Sequence, residues 1–422
     1  MGQFDRRRFM AATAGAAATL LTAGSASAAT ERDHHGHGGD PGGRGHGGRG
    51  RGGRDLRGMW IATITNRDWP SKPGLSAGAQ RAELLRHLDT AVERRLNAVM
   101  LQVRPSADAL WPSPHEPWAK CLTGTQGKDP GWDPLGTAVE EAHARGLELH
   151  AWFNPYRVLE TADPKLLSAK HPARLHPDWV LPYGGKLYYN PGLPEVRNFV
   201  QEAMLDAVRR YDIDAVHWDD YFYPYPVAGQ TFKDDAAYKR YGGGFPDRAA
   251  WRRENTDLLV RGTAEAIKRI KPGLPFGISP FGVWRNAATD RLGSATTAGV
   301  QTYDDLHADT RAWVKKGWID YIAPQVYWNI GFAAADYAEL VRWWDGVVRG
   351  TGVDLYIGEA LYKVGDPAQA APWQDPAELT RHLDLCARHQ GVKGNIYFAA
   401  KEVGSDPLGA MSLVAERYGR GR

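Results

Sequence analysis

From Asp55 to about Tyr418, short apolar, β-branched or aromatic runs alternate with longer amphipathic stretches, and this alternation constrains the fold more than any other feature. Such runs, bounded by turn residues, read as buried strands, and the stretches between them as helices laid over a parallel sheet. Eight strands are expected, at residues 56–63, 98–104, 147–154, 215–223, 275–282, 319–328, 354–363 and 394–401. Residues 80–95 set Leu84, Leu85, Leu88 and Val92 on one helical face, and residues 195–210 do the same with Val196, Phe199, Val200 and Leu205. Residues 255–270 and 334–348 repeat the theme. Eight such units, with no Gly-rich dinucleotide turn after the first strand, predict an α/β protein built as a closed (β/α)8 TIM barrel over residues 55–420. A chain of 422 residues with 43% hydrophobic side chains can fill a core of that size.

The segment before the barrel has a different texture. Arg6-Arg7-Arg8-Phe9-Met10, an apolar run from Ala11 to Ala23 and the small residues Ala26-Ser27-Ala28 read as a twin-arginine (Tat) signal over residues 1–28. Residues 29–54 are Gly, His, Arg and Asp with almost no apolar side chains, the composition of a disordered linker. An exported, extracytoplasmic protein is therefore expected. Its net charge of +3 is small for the length and partly resides in the Arg-rich start, so nucleic acid is not an expected partner. Cys121 and Cys386 lie far apart in sequence; they either form one disulfide or remain buried thiols.

The longest irregular stretches, 105–134, 155–194, 224–250 and 283–310, each follow the C-terminal end of an expected strand. In a barrel those loops share one face and build the active site. Trp111, Trp118, Trp132, Trp179, Tyr183, Tyr188, Tyr189 and Trp284 collect there, which suits an elongated sugar chain better than a small metabolite. The sharpest chemical signal is the exit of the fourth strand, Asp214-Ala215-Val216-His217-Trp218-Asp219-Asp220-Tyr221. Two adjacent carboxylates flanked by apolar residues are costly unless partnered or used. Asp219 and Asp220 are the candidate catalytic carboxylates, Asp219 as nucleophile or base and Asp220 holding geometry or substrate hydroxyls.

Glycoside hydrolysis uses two carboxyl groups, one donating a proton to the leaving oxygen and one attacking the sugar or activating water. Glu359, towards the end of the seventh strand, is the provisional acid. Asp108, Glu116, Asp304, Asp305 and Glu402 are the other carboxylates placed after strands. Arg104, His150, Trp152, Asn154, His217, Tyr221, Gln325, Tyr327 and Trp328 stand at or near strand ends and are the candidate substrate-binding set. No His-x-His lies on an expected strand, and there is no His-Glu-x-x-His, Gly-x-Ser-x-Gly or Walker-type loop, so no metal or other cofactor is expected.

Several motifs also carry a resemblance. Arg57-Gly58-Met59-Trp60-Ile61, Gln102-Val103-Arg104-Pro105, His150-Ala151-Trp152-Phe153-Asn154-Pro155-Tyr156-Arg157, Asp219-Asp220-Tyr221-Phe222-Tyr223-Pro224, Gly277-Ile278-Ser279-Pro280-Phe281-Gly282 and Ala323-Pro324-Gln325-Val326-Tyr327-Trp328 resemble, in order, the family-10-like glycosyl hydrolase domain. The resemblance covers nearly all of residues 55–405. It implies a (β/α)8 barrel and an extracytoplasmic glycosidase. Bacterial members of that family include divisome-associated enzymes that look like hydrolases of peptide-stripped peptidoglycan. The spacing Asp214-x-x-His217-x-Asp219 is also similar to the Asp-x-x-Arg-x-Asp of α-amylase-type barrels, whose last Asp is the nucleophile, with His217 in place of the Arg. The expectation is thus a monomeric, secreted hydrolase of a polymeric glycan of the cell envelope, with cell-wall or cell-division proteins as possible partners. A glycan-binding barrel without activity and a hydrolase of another extracellular polysaccharide are the alternatives.

Overall fold

The computed structural model of the chain describes residues 55–420; the expected signal segment and linker lie outside the described residues. Eight parallel strands close into a barrel: β1 (Leu56–Ile61), β2 (Ala98–Arg104), β3 (Glu148–Phe153), β4 (Ala215–Trp218), β5 (Phe276–Ile278), β6 (Tyr321–Ile322), β7 (Asp354–Glu359) and β8 (Val392–Tyr397). Each pairs with its neighbour in chain order, and β8 returns to β1 with Leu56 opposite Gly394 and Met59 opposite Tyr397. Each strand is followed by a helix: α1 (Ala77–Glu93), α2 (Pro134–Ala144), α3 (Pro194–Arg210), α4 (Arg248–Ile270), α5 (Thr310–Lys315), α6 (Tyr337–Val348), α7 (Glu378–Cys386) and α8 (Ala410–Gly419). All eight expected strands are present, and several end earlier than their apolar runs suggest because the chain turns out of the barrel at the mouth.

Local chemistry sets where the helices begin. Asp133, Asp247, Asp309 and Asp336 accept a backbone N–H at the starts of α2, α4, α5 and α6, satisfying donors that a helix cannot pair internally. Strand alternation then divides the core in two. Met59, Val99, Leu101, Leu149, Val216, Leu355 and Ile357 face the helices, whereas Trp60, Met100, Trp152, Ala215, Tyr321, Tyr356 and Ile396 fill the lumen. Space in that lumen is tight. A Cβ on Gly277 would lie 2.1 Å from the Tyr321 ring, so the empty position on β5 is where the phenol of β6 fits.

Two expectations change here. The 155–194 stretch was expected to be irregular, yet it holds a three-stranded antiparallel sheet (Arg157–Leu159, Val180–Tyr183 and Lys186–Tyr189). Gly184 and Gly185, both at positive φ, make the two-residue turn between the last two strands. The possible disulfide is absent. Cys121 is buried near the end of the loop after β2, while Cys386 ends α7 with its sulfur 3.2 Å from the Tyr337 hydroxyl. Among the described residues no helix is long and apolar enough to cross a membrane.

Gly394 gives the fold its most direct test. Its φ is +150° and a Cβ there would lie 1.9 Å from the Leu56 carbonyl oxygen, across the seam that closes the barrel. Gly394→Ala is expected to cost about 2 kcal/mol or more in urea unfolding, through strain and overpacking. Gly404→Ala, in a helical position with open space around it, should shift stability by less than about 1 kcal/mol.

Candidate active site

The site is assembled from the exit of β4 outwards. His217, on the lumen face of β4, is fully buried: Trp60 Nε1 donates to its Nε2 at 3.0 Å, Ser279 Oγ is 3.0 Å from the same nitrogen, and the Tyr321 hydroxyl is 2.9 Å from Nδ1. Asp219 has the same parity one layer higher. Asn154 Nδ2 lies 3.0 Å from both of its oxygens, and Trp152 Nε1 donates to Oδ2 at 3.2 Å. Asp220 accepts a hydrogen bond from the Tyr225 hydroxyl and another from Gln325, whose amide also donates to the Ser279 carbonyl at 2.8 Å. Arg157 brings positive charge to this pair, with its guanidinium 4.9 Å above the Tyr221 ring.

The two carboxylates do not share the same surroundings. Burial pushes Asp219 above its ordinary range, but the Arg157 charge and the Asn154 and Trp152 hydrogen bonds work against that rise. Asp220 is pushed up to about 7, first by burial and then by the negative charge of Asp219, against which the Tyr225 and Gln325 bonds act. Asp220 is thus the member that keeps its proton towards neutral pH, while the Arg157 charge and the Asn154 and Trp152 donors favour the ionised form of Asp219. Such a pair supplies an ionised group and a proton donor side by side.

The expected binding residues divide into two groups. Trp152, Asn154, Tyr221 and Gln325 converge on the carboxylates as described. Tyr327 lies close enough to Asp220 to feel its charge, and Trp328 packs on Phe281, which in turn meets Tyr225. His217 and His150 sit deeper, where they meet through Tyr321, whose hydroxyl is 3.0 Å from His150 Nδ1. They form the floor beneath the site and are out of a substrate's reach. Arg104 is also corrected. A register shift between Gln102 and Arg104 turns it into a fully buried pocket, where it forks onto Glu116 at 2.5 and 2.6 Å and bonds the Asn154 and Pro155 carbonyls.

Glu359 is the clearest correction. It shares the parity of Leu355 and Ile357, so it faces the helices, while Tyr356 faces the lumen. Its oxygens accept from the Tyr337 hydroxyl at 2.6 Å and Asn395 Nδ2 at 2.7 Å, and lie 2.8 Å from His382 Nδ1. A carboxylate saturated in this way behind the barrel wall cannot protonate a leaving group at the mouth. Among the other carboxylates, Asp304 is forked by Arg285, Asp108 accepts two backbone N–H groups, and Glu402 pairs with Arg67. Sequence reasoning missed the roles of Arg157 and Tyr225. Arg157 follows Asn154 by three residues in an already recognised run, and Asn154 Oδ1 accepts its backbone N–H at 2.8 Å. Tyr225 ends the run of aromatics after Asp220.

Comparison with known proteins bears on this geometry. Residues 55–375 match the glycosyl hydrolase-like 10 family. The chain is 51% identical over 369 residues to glycosyl hydrolase YngK of Bacillus subtilis (strain 168), covering 87% of this chain and 72% of that protein. It is 42% identical over 363 residues to glycosyl hydrolase DigH of Escherichia coli (strain K12), covering 81% of this chain and 82% of that one. Two solved structures share the fold. Alpha-L-fucosidase isoenzyme 2 from Paenibacillus thiaminolyticus has a TM-score of 0.54 at 15% identity over 87% of this chain, which spans only 49% of that enzyme. The PgaB (BpsB) glycoside hydrolase domain from Bordetella bronchiseptica has a TM-score of 0.50 at 13% identity, covering 86% of this chain and 98% of the domain. With a parallel barrel, paired carboxylates at its mouth and relatives at these identities, the chain belongs to the glycosyl hydrolase-like 10 family and is a glycoside hydrolase.

Proposed function

We propose that the enzyme is exported by the twin-arginine route and cleaves glycosidic bonds in peptide-stripped peptidoglycan strands. The observation that carries the mechanism is the unequal pair at the exit of β4. Asp220, with its proton held to about pH 7, donates to the leaving oxygen. Asp219, held by Asn154 and Trp152 with the Arg157 charge nearby, acts as nucleophile or base at the anomeric carbon. The wall substrate rests on the family resemblance and on the half-buried Tyr221, Tyr225 and Tyr327 around the carboxylates, since Trp111, Tyr183, Tyr188, Tyr189 and Trp284 of the loops are buried. Export rests on the twin-arginine and small-residue pattern of residues 1–28.

Release of reducing ends from peptide-stripped strands is the decisive measurement. Asp219→Asn and Asp220→Asn are each expected to lower it by about 10²–10⁴-fold. Release from another polysaccharide alone would replace the substrate, and full activity in Asp219→Asn would end its assigned role. Glu359→Gln separates support from chemistry: loss of charge beside His382 is expected to cost about 1–3 kcal/mol of stability, with release per folded molecule nearly unchanged.

The pH dependence follows from Asp220. With the acid protonated only below about 7, the rate should fall as pH rises through that value. Stability has the same sign. The folded state keeps a proton that the unfolded chain loses near its ordinary value of 3.8, so stability declines as pH rises from there to about 7. Asp220→Asn removes that decline, and its melting temperature relative to wild type should be higher at pH 8 than at pH 5.

A further inference from the structure

Loops after β3, β4 and β5 line a half-open cleft of about 240 Å³ on the face that carries Asp219 and Asp220. Tyr183, Tyr223 and Phe232 give it aromatic walls, and Arg252, Asp305 and His307 are among its polar lining. The volume lies below the ~300–1,000 Å³ of sites for drug-sized molecules, so it suits a ligand about the size of one sugar ring.

The hydrogen-bond inventory narrows the ligand's chemistry. Arg252 uses four of its five N–H groups: Nε and one Nη2 hydrogen on Asp234, the other Nη2 hydrogen on the Phe232 carbonyl, and one Nη1 hydrogen on His307 Nε2. One N–H remains. Because a guanidinium only donates, His307 Nε2 must accept, which places the proton of a neutral imidazole on Nδ1. That Nδ1 is buried and has no partner. Asp305 accepts the Gln301 N–H at 2.7 Å through Oδ2 only, leaving Oδ1 available. Arg252 is paired with Asp234 and Asp304 with Arg285, while Asp305 has the Asp304 carboxylate beside it and is held by the Gln301 N–H. One spare guanidinium N–H, the unpaired imidazole N–H of His307, a carboxylate acceptor and aromatic walls match the hydroxyls of a sugar, which both donate and accept.

We infer that this cavity is a distal subsite that holds one saccharide unit of the glycan whose bond is cut at Asp219 and Asp220. The inference rests on the proposed glycan-cleaving reading of that pair. Continuity supports it: Pro224, which lines the cavity, is four residues past Asp220, at most about 14 Å of extended chain. Tyr225, flanked in sequence by the lining residues Pro224 and Pro226, bonds Asp220, so one short segment forms a wall of both sites. Binding energy gathered here assists cleavage of long strands and does nothing for strands too short to reach.

The test compares peptide-stripped strands of about four and about twelve sugars as substrates for wild type, Thr231→Trp and His307→Asn. Thr231 is exposed at the cavity rim, so the indole blocks it without entering the core. Wild type should show a kcat/KM at least about tenfold higher on the long strand, falling below about threefold in both variants, with short-strand rates within about twofold of wild type. An unchanged length preference in both variants would overturn the subsite while leaving the hydrolase intact. Calorimetric titration of long strands gives a readout without turnover. Binding that weakens in both variants, in an enzyme that releases no reducing ends, would retain the subsite and end the cleavage reading. Absence of both binding and cleavage would overturn both.

Discussion

The centre of the barrel is held by a hydrogen-bonded imidazole. His217 joins β4 to Trp60 of β1, to Ser279 just beyond β5 and to Tyr321 of β6, and Tyr321 reaches His150 of β3. An indole N–H can only donate, so Trp60 makes Nε2 an acceptor and leaves the proton on Nδ1, facing the Tyr321 oxygen. Burial keeps the ring neutral, with its pKa far below the usual histidine range. A lumen filled by an aliphatic side chain would also be dry, but it would not fix the order of donors around five strands. The layer above inherits that order: Asp219 stands two residues on, and Trp152, which contacts the His217 ring edge-on, donates to it.

The outer side of the barrel uses the same device for a different end. Glu359, His382 and Glu378 form a buried charged row between β7, α6 and α7, with Tyr337 stacked on His382 at 3.6 Å. Desolvation would lower the His382 pKa, but the carboxylates of Glu359 and Glu378 beside it outweigh that and raise it. Glu378 also accepts the Ile330 backbone N–H at 3.0 Å. The segment from Gln325 to Trp328 at the mouth is thereby tethered from behind.

Much of this was legible in the sequence. Eight apolar runs and their amphipathic partners have no other economical arrangement, and the Asp219–Asp220 step announced itself through the cost of burying it. Side-chain direction was less legible. Alternation within β7 puts residues 355, 357 and 359 on one face, but one strand alone does not say which face is the lumen; that depends on how Tyr321 and Trp60 fill it. Arg104 was misread for a related reason, since an irregularity in the β2–β3 register turns its side chain aside. The hairpin around Gly184-Gly185 had a recognisable turn, yet its strands are three to four residues long and pair with each other away from the barrel. Short local pairing of that kind leaves little periodicity to read.

That small sheet has a consequence for how such an enzyme can change. Arg157, whose charge opposes the upward shift of Asp219, is the first residue of one of its strands and pairs there with Tyr188. Its backbone is tied to Asn154 and its side chain to the Pro105 carbonyl and Glu160. The counter-charge for a carboxylate of the barrel is thus mounted on an appended layer, outside the eight-stranded frame. Insertions or deletions in that layer would retune the acidity of the mouth before they altered its shape. Loop length and proton affinity become a single heritable trait, and a relative with a remodelled arm would be obliged to find a replacement cation or work at a different pH.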